Sequence, residues 1–448
     1  MISTYASKNK ELLEQQTKRE SNARSYPRRI PIAINEAEGI FVKDADGKSY
    51  YDCLAGAGTL ALGHNHPVVI EALEKVIYDK RPLHTLDLTT PVKEGFIDEV
   101  FASLPKEFAS RAKIQFCGPT GGDAIEAAIK LVKTATGRRS ILSFQGGYHG
   151  ATHGTMALSG NLAPKEKVNG LMPDVHFLPY PYEYRCPFGV GGEECHKISS
   201  RYIENVLDDP ESGILPPAGM IFEAVQGEGG SIPAPVDWMK EMRRITKERQ
   251  IPLIIDEVQT GIGRTGKLFA FEHADIIPDV IVLSKAIGGS LPLSVVIYDQ
   301  DLDVWSPGAH IGTFRGNQMA MATGAATLKF IKEHKLDEHA EKMGKKLQDF
   351  IKELNAPEIG DVRGRGLMIG AEIVDPYLSP SKTGSYPANP QLASRIQREC
   401  FDRGLILEVG GRHGSVVRFL PPLIVTERQL DDICSIFKEA VKAAVKAG

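Results

Sequence analysis

The chain has 448 residues, a length that exceeds the usual single domain and predicts two structural units sharing one core region. With 42% apolar and 25% charged residues, and 28 prolines and 44 glycines spread along it, the composition excludes disordered, collagen-like and low-complexity classes. A formal net charge of −4 gives no electrostatic ground for a nucleic-acid or anionic-membrane partner, and points to an enzyme acting on small molecules.

The opening run, MISTYASKNKELLEQQTKRE, is polar where a signal peptide needs an apolar core. No stretch approaches the roughly 18 consecutive apolar residues of a membrane span. The six cysteines (Cys53, Cys117, Cys186, Cys195, Cys400, Cys434) lack a framework spacing and read as reduced thiols of a cytoplasmic protein. Cys186, Cys195 and His196 lie close together in CPFGVGGEECH, but a metal site needs a further ligand at a workable spacing. They are read as loop cysteines, and no metal is expected.

In chain order, Gly39–Tyr51 (GIFVKDADGKSYY) is two alternating runs joined by Asp-Gly, a hairpin signal. Strands are predicted at Lys113–Cys117, Ser140–Phe144, Val175–Pro179, Met220–Val225, Pro252–Val258, Val280–Ser284 and Leu293–Tyr298. Several are nearly continuous apolar runs, as strands buried on both faces should be. Helical periodicity marks Asp123–Thr136, Trp238–Arg249 and Gln318–Leu354, the last interrupted at His334–Leu336. Toward the end of the chain, strands at Leu367–Val374 and Val416–Leu420 alternate with helices at Gln391–Arg403 and Thr426–Ala447. The expected class is therefore α/β: a large domain (76–325) with a central, mostly parallel sheet. A small α+β domain would be assembled from both chain ends, residues 1–75 and 326–448.

Two polar groups close buried apolar strands, Asp256 in Ile254–Gln259 and, about thirty residues later, Lys285 in Leu283–Ser284–Lys285. Ligands bind at the C-terminal strand ends of an open parallel sheet. Burying either charge alone is costly, and a cofactor ring between them removes both costs. A pyridine nitrogen would take a charge-assisted hydrogen bond from Asp256, and Lys285 would form an imine with the cofactor aldehyde. Strand alternation places Val258 on the same face as Asp256, against the ring, with Gln259 within reach of a ring hydroxyl. The plain alternative is a structural salt bridge between Asp256 and Lys285.

Cys117–Gly118–Pro119–Thr120–Gly121–Gly122 joins a strand to a helix beginning near Asp123. Such a junction presents backbone N–H groups and a helix dipole to an anion. The turn has neither the Gly-Lys-Ser/Thr of a Walker loop nor a dinucleotide fingerprint. A phosphate-sized cradle and an ordinary tight turn are its two readings. Tyr148, in Gly146–Gly147–Tyr148–His149–Gly150, follows another strand and could stack on a planar ring or simply pack.

Taken together and in order, these motifs resemble the class III aminotransferases. Glu223–Gly230 (EAVQGEGG), Asp256–Gly261 (DEVQTG), Gly263–Gly266 (GRTG) and Gly312–Asn317 (GTFRGN) continue the likeness, which runs from about Gly39 to the end. Cys117–Glu126, Asp52–Gly58 and Leu83–Asp87 are similar to members acting on 2,4-diaminobutyrate. The resemblance implies a pyridoxal 5′-phosphate enzyme of fold type I, a homodimer with its active sites at the subunit interface. It implies Lys285 as the cofactor lysine and proton carrier, Asp256 at the pyridine nitrogen and Gln259 near the phenolic oxygen. Tyr148 and Val258 would flank the ring, with His149 beside it. Thr120, Gly121 and Gly122 would hold the phosphate, helped by Thr313 of the other subunit. Glu228 and Arg418 resemble a switch pair: closed over a diamino acid, open to the α-carboxylate of 2-oxoglutarate. For Arg418 the plain alternative is a buried charge paired with a carboxylate. The implied reaction moves the terminal amine between 2,4-diaminobutyrate or aspartate 4-semialdehyde and 2-oxoglutarate or glutamate, by ping-pong kinetics. Other ω-aminotransferase donors (4-aminobutyrate, ornithine) and an aminomutase are the alternatives, with a non-catalytic scaffold behind them. Two positions depart from the pattern. Ala151 replaces an arginine that grips a distal carboxylate in related enzymes, and Gly122 replaces a hydroxyl-bearing residue of the phosphate turn.

Overall fold

A computed structural model describes residues 7–447, so the first six positions of the polar opening run lie outside the described residues. Its largest sheet has seven strands: β1 (Ala112–Phe116), β2 (Ile141–Phe144), β3 (Val175–Leu178), β4 (Gly219–Phe222), β5 (Leu253–Asp256), β6 (Val280–Leu283) and β7 (Val295–Asp299). Their order is β1-β7-β6-β5-β4-β2-β3. Strands β2 to β6 pair in parallel, whereas β7 runs antiparallel to both β6 and β1. The central strands are buried along their whole length, which explains why they read as unbroken apolar runs rather than alternating ones.

Each predicted strand is present, mostly trimmed at its ends. Met220–Val225 is the exception: β4 stops at Phe222, and Val225–Gln226 belongs to a separate two-stranded ribbon. Strand β5 ends at Asp256, so alternation is not what relates Asp256 to Val258. A turn brings them together, with the Val258 N–H donating to Asp256 Oδ1 at 3.0 Å.

The long periodic stretch is two helices, Gln318–Glu333 and Leu336–Glu353, broken at Lys335, whose φ is +51°. The second crosses the Gly366 backbone at Gly344, where a β-carbon would collide with the Gly366 carbonyl. Several helices lie outside the predicted ones, among them Pro67–Tyr78, Pro91–Phe101 and Gly192–Asp208. The last of these holds Cys195 and His196, which therefore sit on a helix and not in a loop. All six cysteines are free. Among the described residues, no helix is long and apolar enough to cross a membrane.

The hairpin of Phe41–Asp44 and Ser49–Asp52 joins a four-stranded sheet whose outer strand, Leu405–Ile406, comes from near the other chain end. A second four-stranded sheet contains Ile359–Arg365, Met368–Ile373, Val416–Phe419 and Glu408–Gly410. One apolar core runs continuously from Ile40 through Leu253 and Trp238 to Phe437, so the sheets are held by shared burial.

Candidate active site

The segments that leave β1, β2, β4, β5 and β6 at their C-terminal ends converge on a cavity of about 450 Å3. Thr120, Gly121, Gly122, Tyr148, His149, Glu228, Asp256, Val258, Gln259 and Lys285 all line it. Arg418 lies just behind Glu228 and Gln259. Of the residues singled out by sequence, only Thr313 is elsewhere. It is exposed on the same stretch as Ile311 and Phe314 (67% and 65% exposed).

The β1 turn is built as an anion cradle. The following helix, Gly121–Thr136, starts two residues earlier than its periodicity suggests, because Thr120 is its N-cap and accepts from the Asp123 N–H at 3.1 Å. Gly121 and Gly122 are thus first-turn residues whose N–H groups have no intrahelical partner. A β-carbon on Gly121 would stand 3.0 Å from Val258 Cγ1, so the cradle and the expected ring-packing residue are contiguous. Asp123 braces the turn from below, accepting from the Gly118 N–H at 2.5 Å and lying 3.0 Å from His310 Nε2.

Asp256 is not paired with Lys285. Its Oδ2 lies 2.7 Å from His149 Nδ1, and that histidine side chain is fully buried. Burial opposes a charge on His149, but the Asp256 hydrogen bond overrides this and raises its pKa. His149 Nε2 is buried without a partner among the described residues. Asp256 keeps acceptor capacity beyond His149 and the Val258 N–H, enough for a protonated ring nitrogen.

Lys285 carries a φ of +52°, a strained conformation for a side-chain-bearing residue, immediately after β6. Burial lowers its pKa, with Glu228 opposing and Arg418 reinforcing the shift. Among the described residues its amine has no ion-pair or hydrogen-bond partner, so a structural salt bridge with Asp256 is excluded.

Glu223, quoted in the sequence only as part of a motif, also enters the cavity. It accepts from the N–H groups of Tyr148 and Gly227, both at 2.9 Å, and burial raises its pKa to about 7. Tyr148 is 37% exposed and lines both this cavity and a larger one of about 1050 Å3 beside it. That outer cavity carries Arg28, Arg29, Arg398 and Arg412 on its wall, with Glu228 as its one acid. Gln259 is engaged at both ends of its amide: the oxygen accepts from Arg418 Nη2 at 3.0 Å and the nitrogen donates to the Ala57 carbonyl at 3.0 Å. One amide hydrogen is left for a ring oxygen.

The residue next to Asp256 has a different role. Glu257 is buried away from the cavity, accepting from Thr260 Oγ1 at 2.6 Å and the Phe271 N–H at 3.0 Å; burial raises its pKa to about 7. A carboxyl whose folded pKa lies above its unfolded value of 4.5 binds more protons when folded, so this group erodes stability as pH rises from 4.5 to about 7. Glu257→Gln is accordingly expected to gain stability over the parent across that window, by at most about 1.4 kcal/mol per pH unit, and to hold a constant advantage above it. Denaturant melts at several pH values check this; an advantage that shrinks as pH rises would refute it.

Half-buried Lys285 and buried Asp256, at adjacent strand ends, share one cavity with a helix N-terminus on an α/β fold. The chain belongs to the aminotransferase class-III family, whose model matches residues 22–441. It is 57% identical over 423 residues to the diaminobutyrate–2-oxoglutarate aminotransferase of Rhizobium meliloti, covering 94% of this chain and 90% of that one. Identity to the Haemophilus influenzae protein of the same name is 49% over 447 residues, covering 99% of this chain and 98% of the other. Among solved structures, a PLP-bound amine transaminase from an uncultivated Pseudomonas species aligns with a TM-score of 0.84 at 26% identity, covering 96% of this chain and 98% of that one.

Proposed function

We propose that this protein transfers the terminal amino group between L-2,4-diaminobutyrate or aspartate 4-semialdehyde and 2-oxoglutarate or glutamate, in two half-reactions on pyridoxal 5′-phosphate. The observation that carries the chemistry is the cavity in which unpaired Lys285 and His149-braced Asp256 face the cradle of Gly121 and Gly122. The substrate pair is that printed in the names of the Rhizobium meliloti and Haemophilus influenzae relatives.

When bound, the cofactor supplies an electron sink that acidifies the carbon carrying the amine. Thr120, Gly121 and Gly122 would hold its phosphate, Asp256 its ring nitrogen, Gln259 its phenolic oxygen, and Val258 and Tyr148 its two faces. Asp256 would keep the ring nitrogen protonated, and His149 fixes the carboxylate placed to do so. Lys285 Nζ, biased toward neutrality by burial, would hold and move the proton of the amine-bearing carbon. Glu228 covers Arg418 while a diamino acid occupies the site and uncovers it for the α-carboxylate of 2-oxoglutarate. In place of the arginine that Ala151 lacks, the cationic wall of the outer cavity, Arg412 foremost, faces the distal carboxylate.

A cytoplasmic homodimer belongs to this reading. Thr313 is exposed beside Phe314, whose ring packs edge-on against His84 at 5.4 Å, and Leu83 and Leu88 add 56% and 69% exposed apolar side chains to the same surface. A second copy seated there would bring Thr313 to the other site. Assayed by glutamate formation with 2-oxoglutarate, diaminobutyrate is expected to outpace ornithine, lysine, 4-aminobutyrate and β-alanine. Preference for ornithine or 4-aminobutyrate would overturn the donor, and turnover without any keto acid would favour the aminomutase.

A further inference from the structure

The Arg418 guanidinium is fully buried and holds two carboxylates, not one. Its Nη1 donates to Glu228 Oε1 at 2.8 Å and to Glu408 Oε2 at 3.1 Å. The two acids are placed differently. The Glu228 side chain is 41% exposed and opens onto the cavities, whereas that of Glu408 is only 10% exposed, held in the strand Glu408–Gly410 that pairs directly with the Arg418 strand. Tyr26 Oη donates to the other Glu408 oxygen at 3.4 Å. Glu228 is free to turn outward, and Glu408 is not.

This arrangement changes what opening the Glu228 gate achieves. With Glu228 turned aside, Glu408 still sits on the same guanidinium nitrogen, so Arg418 does not become a free cation. An incoming α-carboxylate would take the place of Glu228 on the guanidinium beside Glu408, with displaced Glu228 still on the cavity wall; the site gains one negative charge, which a buried cluster relieves by protonating one member. The remaining charged or titratable groups facing Glu408 are Tyr26, Lys285 and Arg29. Burial already raises the pKa of Glu408, while Arg418 lowers that of Glu228, so Glu408 is the member that accepts the proton.

We propose that Glu408 is a positioning residue that locks Arg418 in place and makes binding of 2-oxoglutarate depend on uptake of one proton by Glu408. The inference rests on the transaminase reading above. It also accounts for selectivity: with both acids ionised, the Arg418 cluster carries a net negative charge and favours a donor with a second ammonium group over one with a second carboxylate.

The test uses the holoenzyme and compares acceptor binding across pH with Glu408→Gln. In the parent, the apparent Kd of 2-oxoglutarate is expected to rise about tenfold per pH unit above the pKa of Glu408 in the free enzyme. Glu408→Gln is expected to lose that slope and to bind the acceptor more tightly at alkaline pH. A slope shared by both proteins, or weaker binding by the variant at alkaline pH, overturns the proposal. Calorimetry on the unmodified enzyme gives a second reading, independent of whether the variant folds. Binding of the unreactive dicarboxylate glutarate, in buffers of different ionisation enthalpy, should take up about one proton in the alkaline range, and zero uptake overturns the proposal. Glutamate formation with a pH-independent acceptor Kd would sink this inference alone. Absence of glutamate with every donor would sink the proposed reaction and this inference with it.

Discussion

Lys285→Ala is expected to abolish amino transfer, lowering turnover by at least about 10,000-fold, the upper range for loss of a positioned proton carrier. No neighbour can stand in for it. Asp256 is committed to His149 and the Val258 N–H, Glu223 to the Tyr148 and Gly227 N–H groups, and Glu228 to Arg418. The lysine amine itself is uncommitted among the described residues. The variant is also expected to lose the absorbance near ~420 nm of a lysine-bound cofactor, and borohydride should no longer fix the cofactor to the chain. Single-turnover kinetics with diaminobutyrate, read beside the spectrum, check both effects. Retention of parental turnover would overturn the assignment of Lys285.

Asp256→Asn is the second large effect. Shape is kept, but the charge that faces the ring nitrogen and His149 is lost. Removing one partner from a buried charge pair costs about 3–5 kcal/mol. Expressed through turnover, that is a fall of about 100- to 10,000-fold. Because His149 owes its raised pKa to the Asp256 hydrogen bond, the variant should also hold this histidine neutral at a pH where the parent keeps it protonated. Imidazole NMR resonances in the cofactor-free protein report that change without any assay. Unaltered His149 titration together with near-parental turnover would refute the role given to Asp256.

Much of the site was legible in the chain because its signals are local. Asp256 and Lys285 end apolar runs, and Thr120–Gly121–Gly122 sits between a strand and a periodic helix; such patterns survive without knowing what packs on them. Glu408 closes an apolar run in the same way (Leu405–Leu407), so a usable signal was present but went unread. Tyr26 had none: it lies in the four-residue helix Tyr26–Arg29, too short to show a period. The turn after β5 misled the strand-alternation argument for Val258, although the two residues do meet.

Strand order along the chain, the anion turn and the strand-end charges were set by neighbouring residues, since hydrophobic period and turn chemistry act over a few positions. Only tertiary structure could decide which charges meet. His149 reaches Asp256 across 107 positions and Glu228 reaches Arg418 across 190, while Thr313 stays outside the cavity that its own chain builds. Those pairings depend on which strands lie side by side and how deeply each charge is buried, and no local pattern encodes either.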